Sequence, residues 1–306
     1  MREKKFRAGF VTLLGRPNVG KSSLLNKALG DKVTMVSPTP QTTRKPVRGI
    51  LTTQDAQIVF VDTPGLHQPK HALGEYMMDK VRRSLEDVDC ICLVLDAVRL
   101  EGGAEEDLLW EVLEGITVPL VVALNKIDLL EEDLSEVLKK LERWQQLSSR
   151  EIIPVSAKEG RRVEELLQAV ISHLPEGPPL YPEDMFTDQT ERFMAEECIR
   201  EKIFVLARDE VPHSTAVMVE EFQHPEEYPH RENVYIRATV YVERPGQKAI
   251  LIGDKGGFIK DVGVQARKEL EKLLGYPVYL ELWVKVRKNW RKSPVELRRF
   301  GYDKDR

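Results

Sequence analysis

"GRPNVGKS", residues 15–22, decides the fold. It follows the apolar run "FRAGFVTLLG" (6–15) and opens the helical pattern "SSLLNKALG" (22–30). Two glycines frame four residues, then lysine and serine follow, which is G-x-x-x-x-G-K-[ST] between a strand and a helix. Glycine lets the backbone wrap closely around an anion with its N–H groups pointing inward. Gly15, Arg16, Pro17, Asn18, Val19 and Gly20 therefore read as a phosphate cradle, continued by Lys21, Ser22 and Ser23 in the first helical turn. Lys21 places a point charge near the outer phosphates, and the Ser22 hydroxyl can ligate Mg²⁺.

Further apolar runs follow at intervals: "QIVFVDTPG" (57–65), "CICLVLDA" (90–97), "VPLVVALNK" (118–126) and "EIIPVSA" (151–157). Amphipathic stretches separate them, among them 108–115, 134–144 and 162–174. This alternation predicts a doubly wound, mostly parallel sheet with helices on both faces. Ligands of such sheets bind at the carboxyl ends of the strands. Asp62, Thr63, Pro64 and Gly65 fall at one such end: the carboxylate can hold Mg²⁺ and the Gly65 amide can sense a terminal phosphate. Asn125, Lys126, Ile127 and Asp128 fall at another. A carboxylate accepts two parallel hydrogen bonds from the N1–H and 2-amino groups of guanine, an edge that adenine lacks. Asp128 is thus the candidate base reader, Lys126 lies along the base, and Asn125 braces the loop. Ser156, Ala157 and Lys158 can offer a backbone N–H to the guanine carbonyl. The irregular stretch "SPTPQTTRKP" (37–46) reads as a mobile loop over the nucleotide. Thr42 or Thr43 completes the Mg²⁺ shell, with Thr43 favoured.

The 306 residues suffice for two domains, and 42% hydrophobic with 31% charged residues is a globular composition. The longest apolar runs fall short of a membrane span, and no signal-peptide core follows the N-terminus. Three cysteines make no disulfide framework, so a reducing cytoplasm is expected. Residues 244–306 hold 16 Lys+Arg against 8 Asp+Glu, whereas residues 1–243 hold 30 against 42. A basic end on an acidic protein predicts a local polyanion site.

"LPEGPPLYPED" (174–184) carries Pro175, Pro178, Pro179 and Pro182, which bar helix and central strand alike. The expected organisation is a first domain over 1–175, a stiff linker over 176–189 and a second domain over 190–306 ending in a basic tail. In the second domain a helix (190–209) precedes two alternating strands (214–222, 233–243). A glycine-rich turn in "LIGDKGGFIK" (251–260), a helix to Gly275 and a final strand "YPVYLELWVKV" follow. The order helix, strand, strand, helix–G-x-x-G–helix, strand resembles a KH domain of the prokaryotic topology (type II, α+β). That resemblance implies that the turn lets a single-stranded RNA backbone pass close to the chain. It assigns Gly253, Asp254, Lys255, Gly256, Gly257, Phe258 and Lys260 to the RNA, with Ile250, Ile252, Ile259 and Val262 flooring an apolar groove for bases.

The nucleotide motifs resemble those of the small GTPase superfamily. Many of its members carry a glutamine just after D-x-x-G to orient the attacking water; Leu66 stands there and belongs with the nucleotide contacts by position only. The resemblance implies a slow GTPase that uses Mg²⁺, with Lys21, Thr43, Gly65 and Asn18 as candidate catalytic groups. Members with an asparagine like Asn18 use K⁺ to stabilise developing charge; the alternative is that Asn18 simply tolerates positive φ in a turn. His67 and Gln68 are displaced from the glutamine position. Together, "GRPNVGKSSLLN", "QTTR", "DTPGLH", "NKID", "VSA", "LIGDKG" and "LELWVKVRKNWR" resemble the Era family over essentially the whole chain. The resemblance implies GTP-dependent binding to the 3′ end of 16S ribosomal RNA and to the 30S subunit or its precursor, by a monomer. Some members associate with the inner face of the membrane, which the basic tail would serve electrostatically. A tRNA-modification GTPase shares "GRPN" and "TTR", but would need further domains.

Overall fold

The computed structural model describes residues 5–37, 39–100, 103–131, 133–139, 141 and 152–303. Two compact units divide the chain. The first comprises residues 1–36, 43–70 and 74–188; the second comprises 37–42, 71–73 and 189–306.

In the first unit six strands are β1 (Arg7–Leu14), β2 (Val47–Thr52), β3 (Ala56–Asp62), β4 (Cys90–Asp96), β5 (Leu120–Asn125) and β6 (Ile152–Pro154). They order as β2-β3-β1-β4-β5-β6, with only β2 antiparallel to its neighbour. The helices are α1 (Lys21–Leu29), α2 (Ala72–Arg83), α3 (Ala104–Leu113), α4 (Leu134–Lys139) and α5 (Val163–His173). Beyond it, Leu141 is a buried turn residue, and the rest of the helix expected to Trp144 lies outside the described residues.

The doubly wound architecture is written into β4. All seven of its residues are buried, because each face of the strand meets a helix layer. Cys90, Cys92 and Val94 join Leu24, Leu25 and Val170 in one core. Ile91, Leu93 and Leu95 join Met78, Leu109 and Val137 in the other. Burial pushes the Cys90 thiol up to about 12 and raises that of Cys92 further, so both stay neutral.

The proline-rich stretch is tied to this unit. Buried Gln57 accepts from the Leu180 and Tyr181 amides (2.6 and 2.9 Å) and donates to Tyr181 O at 2.9 Å. Further along, Ile50 N–H donates to Phe186 O at 2.9 Å and Thr187 to Arg48 O at 2.7 Å.

The second unit contains α6 (Glu191–Leu206), β7 (Ala216–Gln223), β8 (Val234–Val242), α7 (Pro245–Ile252), α8 (Gly257–Leu274), β9 (Val278–Val286) and α9 (Pro294–Arg299). The sheet order is β7-β8-β9, antiparallel then parallel. The parallel pair needs a crossover, which α7 and α8 supply. Ile199, Ile203, Val262, Ala266 and Leu270 from the helices meet Val219, Ile236, Val240 and Val278 from the sheet in one core. Two sequence expectations change here. Val262 is fully buried and belongs to this core, not to a groove floor. The basic tail is in part a folded element: Trp290 is fully buried, donates to Ser214 O at 2.8 Å and packs against Phe300 and Tyr302.

Candidate functional site

The loop after β1 takes the backbone shape its glycines allow. Gly15, Asn18 and Gly20 have φ of 153, 62 and 97°. At Gly20 a Cβ would stand 2.3 Å from Asn125 Nδ2, so only glycine fits. The Asn125 amide needs that space: Nδ2 donates to Val19 O at 2.9 Å, and Oδ1 accepts from Ala157 N–H at 2.9 Å. One buried asparagine thus fastens three strand-end loops together. The fourth is held by Leu66 N–H, which donates to Gly15 O at 3.2 Å, and by Gly65, whose missing side chain admits Pro17. Thr63 is buried, donating to Leu13 O at 2.7 Å.

At the mouth of the cradle Lys21 is buried and donates to Gly15 O and Arg16 O, both at 3.1 Å. Burial lowers its pKa from 10.5 to about 8, with Asp62 opposing. Asp62 is shifted the other way, raised by burial against the pull of Lys21, Ser22 and Thr43. Its Oδ2 accepts from Ser22 Oγ at 2.6 Å and Thr43 Oγ1 at 3.2 Å; those two hydroxyls are 3.1 Å apart. Its Oδ1 is buried and accepts no hydrogen bond among the described residues. A buried carboxylate oxygen without a donor, beside two hydroxyls, is a hard oxygen set suited to Mg²⁺. Of the two threonines, Thr43 is the one brought to Ser22 and Asp62.

At the base end Asp128 Oδ1 accepts from Ser156 Oγ at 2.6 Å. This orients the carboxylate, and each of its oxygens keeps a lone pair for a ligand. The amide of Ala157 is already engaged, donating to Asn125 Oδ1. Lys126 has a left-handed backbone (φ 69°) and donates to Asp96 Oδ2 at 2.6 Å. The side chain of Leu66 is not part of the cradle. It is fully buried in the core with Leu14, Met78 and Val81, which corrects its placement among the nucleotide contacts. His67 is buried, its Nδ1 2.9 Å from Gly65 O.

In the second unit α7 ends at Gly253, a short turn spans Asp254–Gly256, and α8 starts at Gly257. Gly253, Lys255 and Gly256 have φ of 72, 48 and 78°. Gly253 lies against Phe258, whose half-buried ring packs on the core. Gly256 and Gly257 border open space. Asp254, Lys255, Lys260 and Ile250 are exposed, and Ile252 and Ile259 are half-buried beside them.

Two family descriptions match the chain: "50S ribosome-binding GTPase" over residues 10–126 and "KH domain" over residues 210–291. GTPase Era of Heliobacterium modesticaldum is 46% identical over 301 residues, 98% of each chain. GTPase Era of Halothermothrix orenii is 44% identical over 297 residues, 97% of this chain and 99% of its own. The chain belongs to the Era GTPase family. A solved structure of an Aquifex aeolicus Era variant bound to GDP and AlF₄⁻ superposes with a TM-score of 0.91 at 41% identity, covering 97% of this chain and 99% of that one. Era in complex with MgGDPNP and nucleotides 1506–1542 of 16S ribosomal RNA gives 0.91 at 40%, with the same coverage.

Two residues of this chain escaped the sequence reading. Gln57 lies within an apolar strand run and shows its anchoring role only once the linker is seen on it. Asp96 was visible as the lone charge closing "CICLVLD", as Asp62 closes its own strand.

Proposed function

We propose that this protein binds and hydrolyses GTP, and that its second unit binds single-stranded RNA from the 3′ end of 16S ribosomal RNA to assist assembly of the 30S subunit. The observation that carries the proposal is Asp62, whose bare buried oxygen stands beside Ser22, Thr43 and Lys21. The amides of the 15–22 loop bind the phosphates, and Lys21 turns its ammonium from Gly15 O and Arg16 O toward them. Asp128, steadied by Ser156, reads the guanine edge. Ser22, Thr43 and Asp62 hold Mg²⁺, which when bound neutralises charge developing on the phosphate oxygens. The Leu66 side chain lies in the core, so no side chain at that position orients the attacking water, and unassisted turnover is slow. The exposed Asn18 amide at the loop apex is the K⁺ ligand in this reading. In the second unit, phosphates pass over the open side of Gly256 and Gly257, Lys255 and Lys260 attract them, and Ile250 and Ile252 receive bases. The basic C-terminal segment would also carry peripheral attachment to an anionic membrane; no helix among the described residues is long and apolar enough to cross one.

The test is calorimetric titration of GTP and ATP with and without Mg²⁺, then of a 16S 3′-end RNA, with turnover followed in K⁺ and in Na⁺. Guanine-selective, Mg²⁺-dependent binding is expected, with faster turnover in K⁺ that Asn18→Ala abolishes. Equal GTP and ATP affinity overturns the nucleotide reading, no RNA binding overturns the RNA reading, and equal rates in both salts leave Asn18 as a turn residue.

A further inference from the structure

Every loop-bearing strand end near the cradle contributes a polar side chain to the proposed nucleotide site, except that of β4, whose terminal Asp96 has been given no part. Asp96 lies directly across from Asn125 in the parallel register of β4 and β5, one residue short of Lys126. Its side chain is only 6% exposed. One carboxylate oxygen accepts from Val98 N–H at 3.0 Å and so fixes the turn after β4. The other accepts from Lys126 Nζ at 2.6 Å. The chain turns left-handed at Lys126, a conformation that a non-glycine residue keeps only when its surroundings hold it. An ammonium on a four-carbon stem is otherwise a flexible group with many rotamers. Tethered at its tip, the stem becomes a fixed apolar rail at the place where the base must lie.

We infer that Asp96 is a positioning residue for guanine nucleotides: it holds the Lys126 ammonium so that the lysine stem forms a preorganised wall against the base. The inference rests on the nucleotide reading above. Asp96 touches no phosphate and no base edge. Its effect therefore falls equally on GDP and GTP, and leaves the guanine-over-adenine choice with Asp128. A preorganised contact acts mainly on how long the ligand stays, so the effect appears in the dissociation rate.

The experiment measures dissociation of methylanthraniloyl-GDP and of the equally labelled GTP analogue from the full chain, with a melting curve for each variant. Asp96→Asn keeps an oxygen for Val98 N–H and removes the charge; Lys126→Met keeps the stem and removes the ammonium. Each is expected to speed dissociation of both nucleotides about tenfold, and the double variant no further, because the two act as one unit. Lys126→Arg, which can still reach the carboxylate, restores slow dissociation when Asp96 is present and not when it is replaced by Asn. Additive effects in the double variant, or unchanged dissociation in Lys126→Met, overturn the inference. The Lys126→Met arm decides the matter even if Asp96→Asn lowers the melting temperature. Failure of the parent chain to bind GDP would instead sink the nucleotide reading itself.

Discussion

The two glycine turns of this chain answer to opposite demands. The first is crowded: a Cβ at Gly20 would meet Asn125 and one at Gly15 would meet Val94 O at 2.4 Å. The second is open on one side: Gly253 is pressed against Phe258, but Gly256 and Gly257 have nothing within 4 Å of the place a Cβ would occupy. Glycine is demanded in the first by neighbours from other strands, which close a pocket around a small ligand. In the second, Gly256 is demanded by its backbone φ of 78°, and the space beside it is left free for a chain to pass. An enclosed turn ties binding to fold stability, whereas an open turn separates the two.

Substitutions sharpen that contrast, and the largest effect is expected at Gly20. Gly20→Ala forces a methyl into the Asn125 amide at a φ that alanine resists, costing about 2–4 kcal/mol. It should lower the melting temperature and abolish GTP binding together. A variant that melts like the parent would show that the pocket yields more readily than its packing implies.

Asp128→Asn comes next. Removing a charge-assisted pair of acceptors costs about 1.5–3 kcal/mol of GTP binding, with some gain in affinity for xanthine nucleotides. Equal GTP affinity in parent and variant would remove Asp128 from the base-reading role.

At the open turn, Gly256→Asp should weaken a 16S 3′-end RNA by about tenfold or more, since a negative side chain then stands where a phosphate passes. GTP affinity should barely move, in contrast to Gly20→Ala, and melting temperature should fall only by the ~1 kcal/mol that a left-handed backbone (φ 78°) costs an aspartate. Lys255→Ala should reduce the salt slope of RNA binding by about 0.7. RNA affinity that survives Gly256→Asp would redirect the search to another face of the unit.

The pH dependence tests the enclosed turn more gently. Lys21 loses its proton near pH 8 when burial is not offset by a phosphate, so GTP affinity should hold below pH 8 and fall above it, by roughly fourfold at half a unit past that value. The sign for stability is reversed. The unfolded lysine keeps its proton up to about 10.5 while the folded one has lost it, so between pH 8 and 10.5 this residue makes the protein without nucleotide more stable as pH rises. GTP affinity that stays level from pH 7 to 9 would remove the Lys21 ammonium from the phosphate-binding role.

The sequence was most legible where a function is packed into contiguous residues. "GRPNVGKS", "DTPG", "NKID" and "GDKG" each carry their own geometry, and the strand pattern fixes which end of the first unit's sheet the first three share. Long-range choices were not legible. Nothing local reveals that Asn125 fastens Val19 to Ala157, or that Gln57 waits for the Leu180 and Tyr181 amides. Burial misled at Leu66 and Val262, because an apolar residue beside a motif serves a ligand or a core equally well until the neighbouring helices are placed. The tail read as a charge run, and only the Trp290–Ser214 contact shows it to be folded down.

The buried cysteines give the molecule a pair of built-in gauges. Cys90 and Cys92 sit in the central strand of the first unit, and Cys198 lies within the core of the second, its thiol against Ala266 O. Alkylating reagents attack exposed thiolates, so none of the three reacts until its own unit opens. Mass spectrometry of a timed iodoacetamide exposure would therefore report the breathing of each unit separately in the unaltered protein, and show which one GTP quiets and which one RNA does.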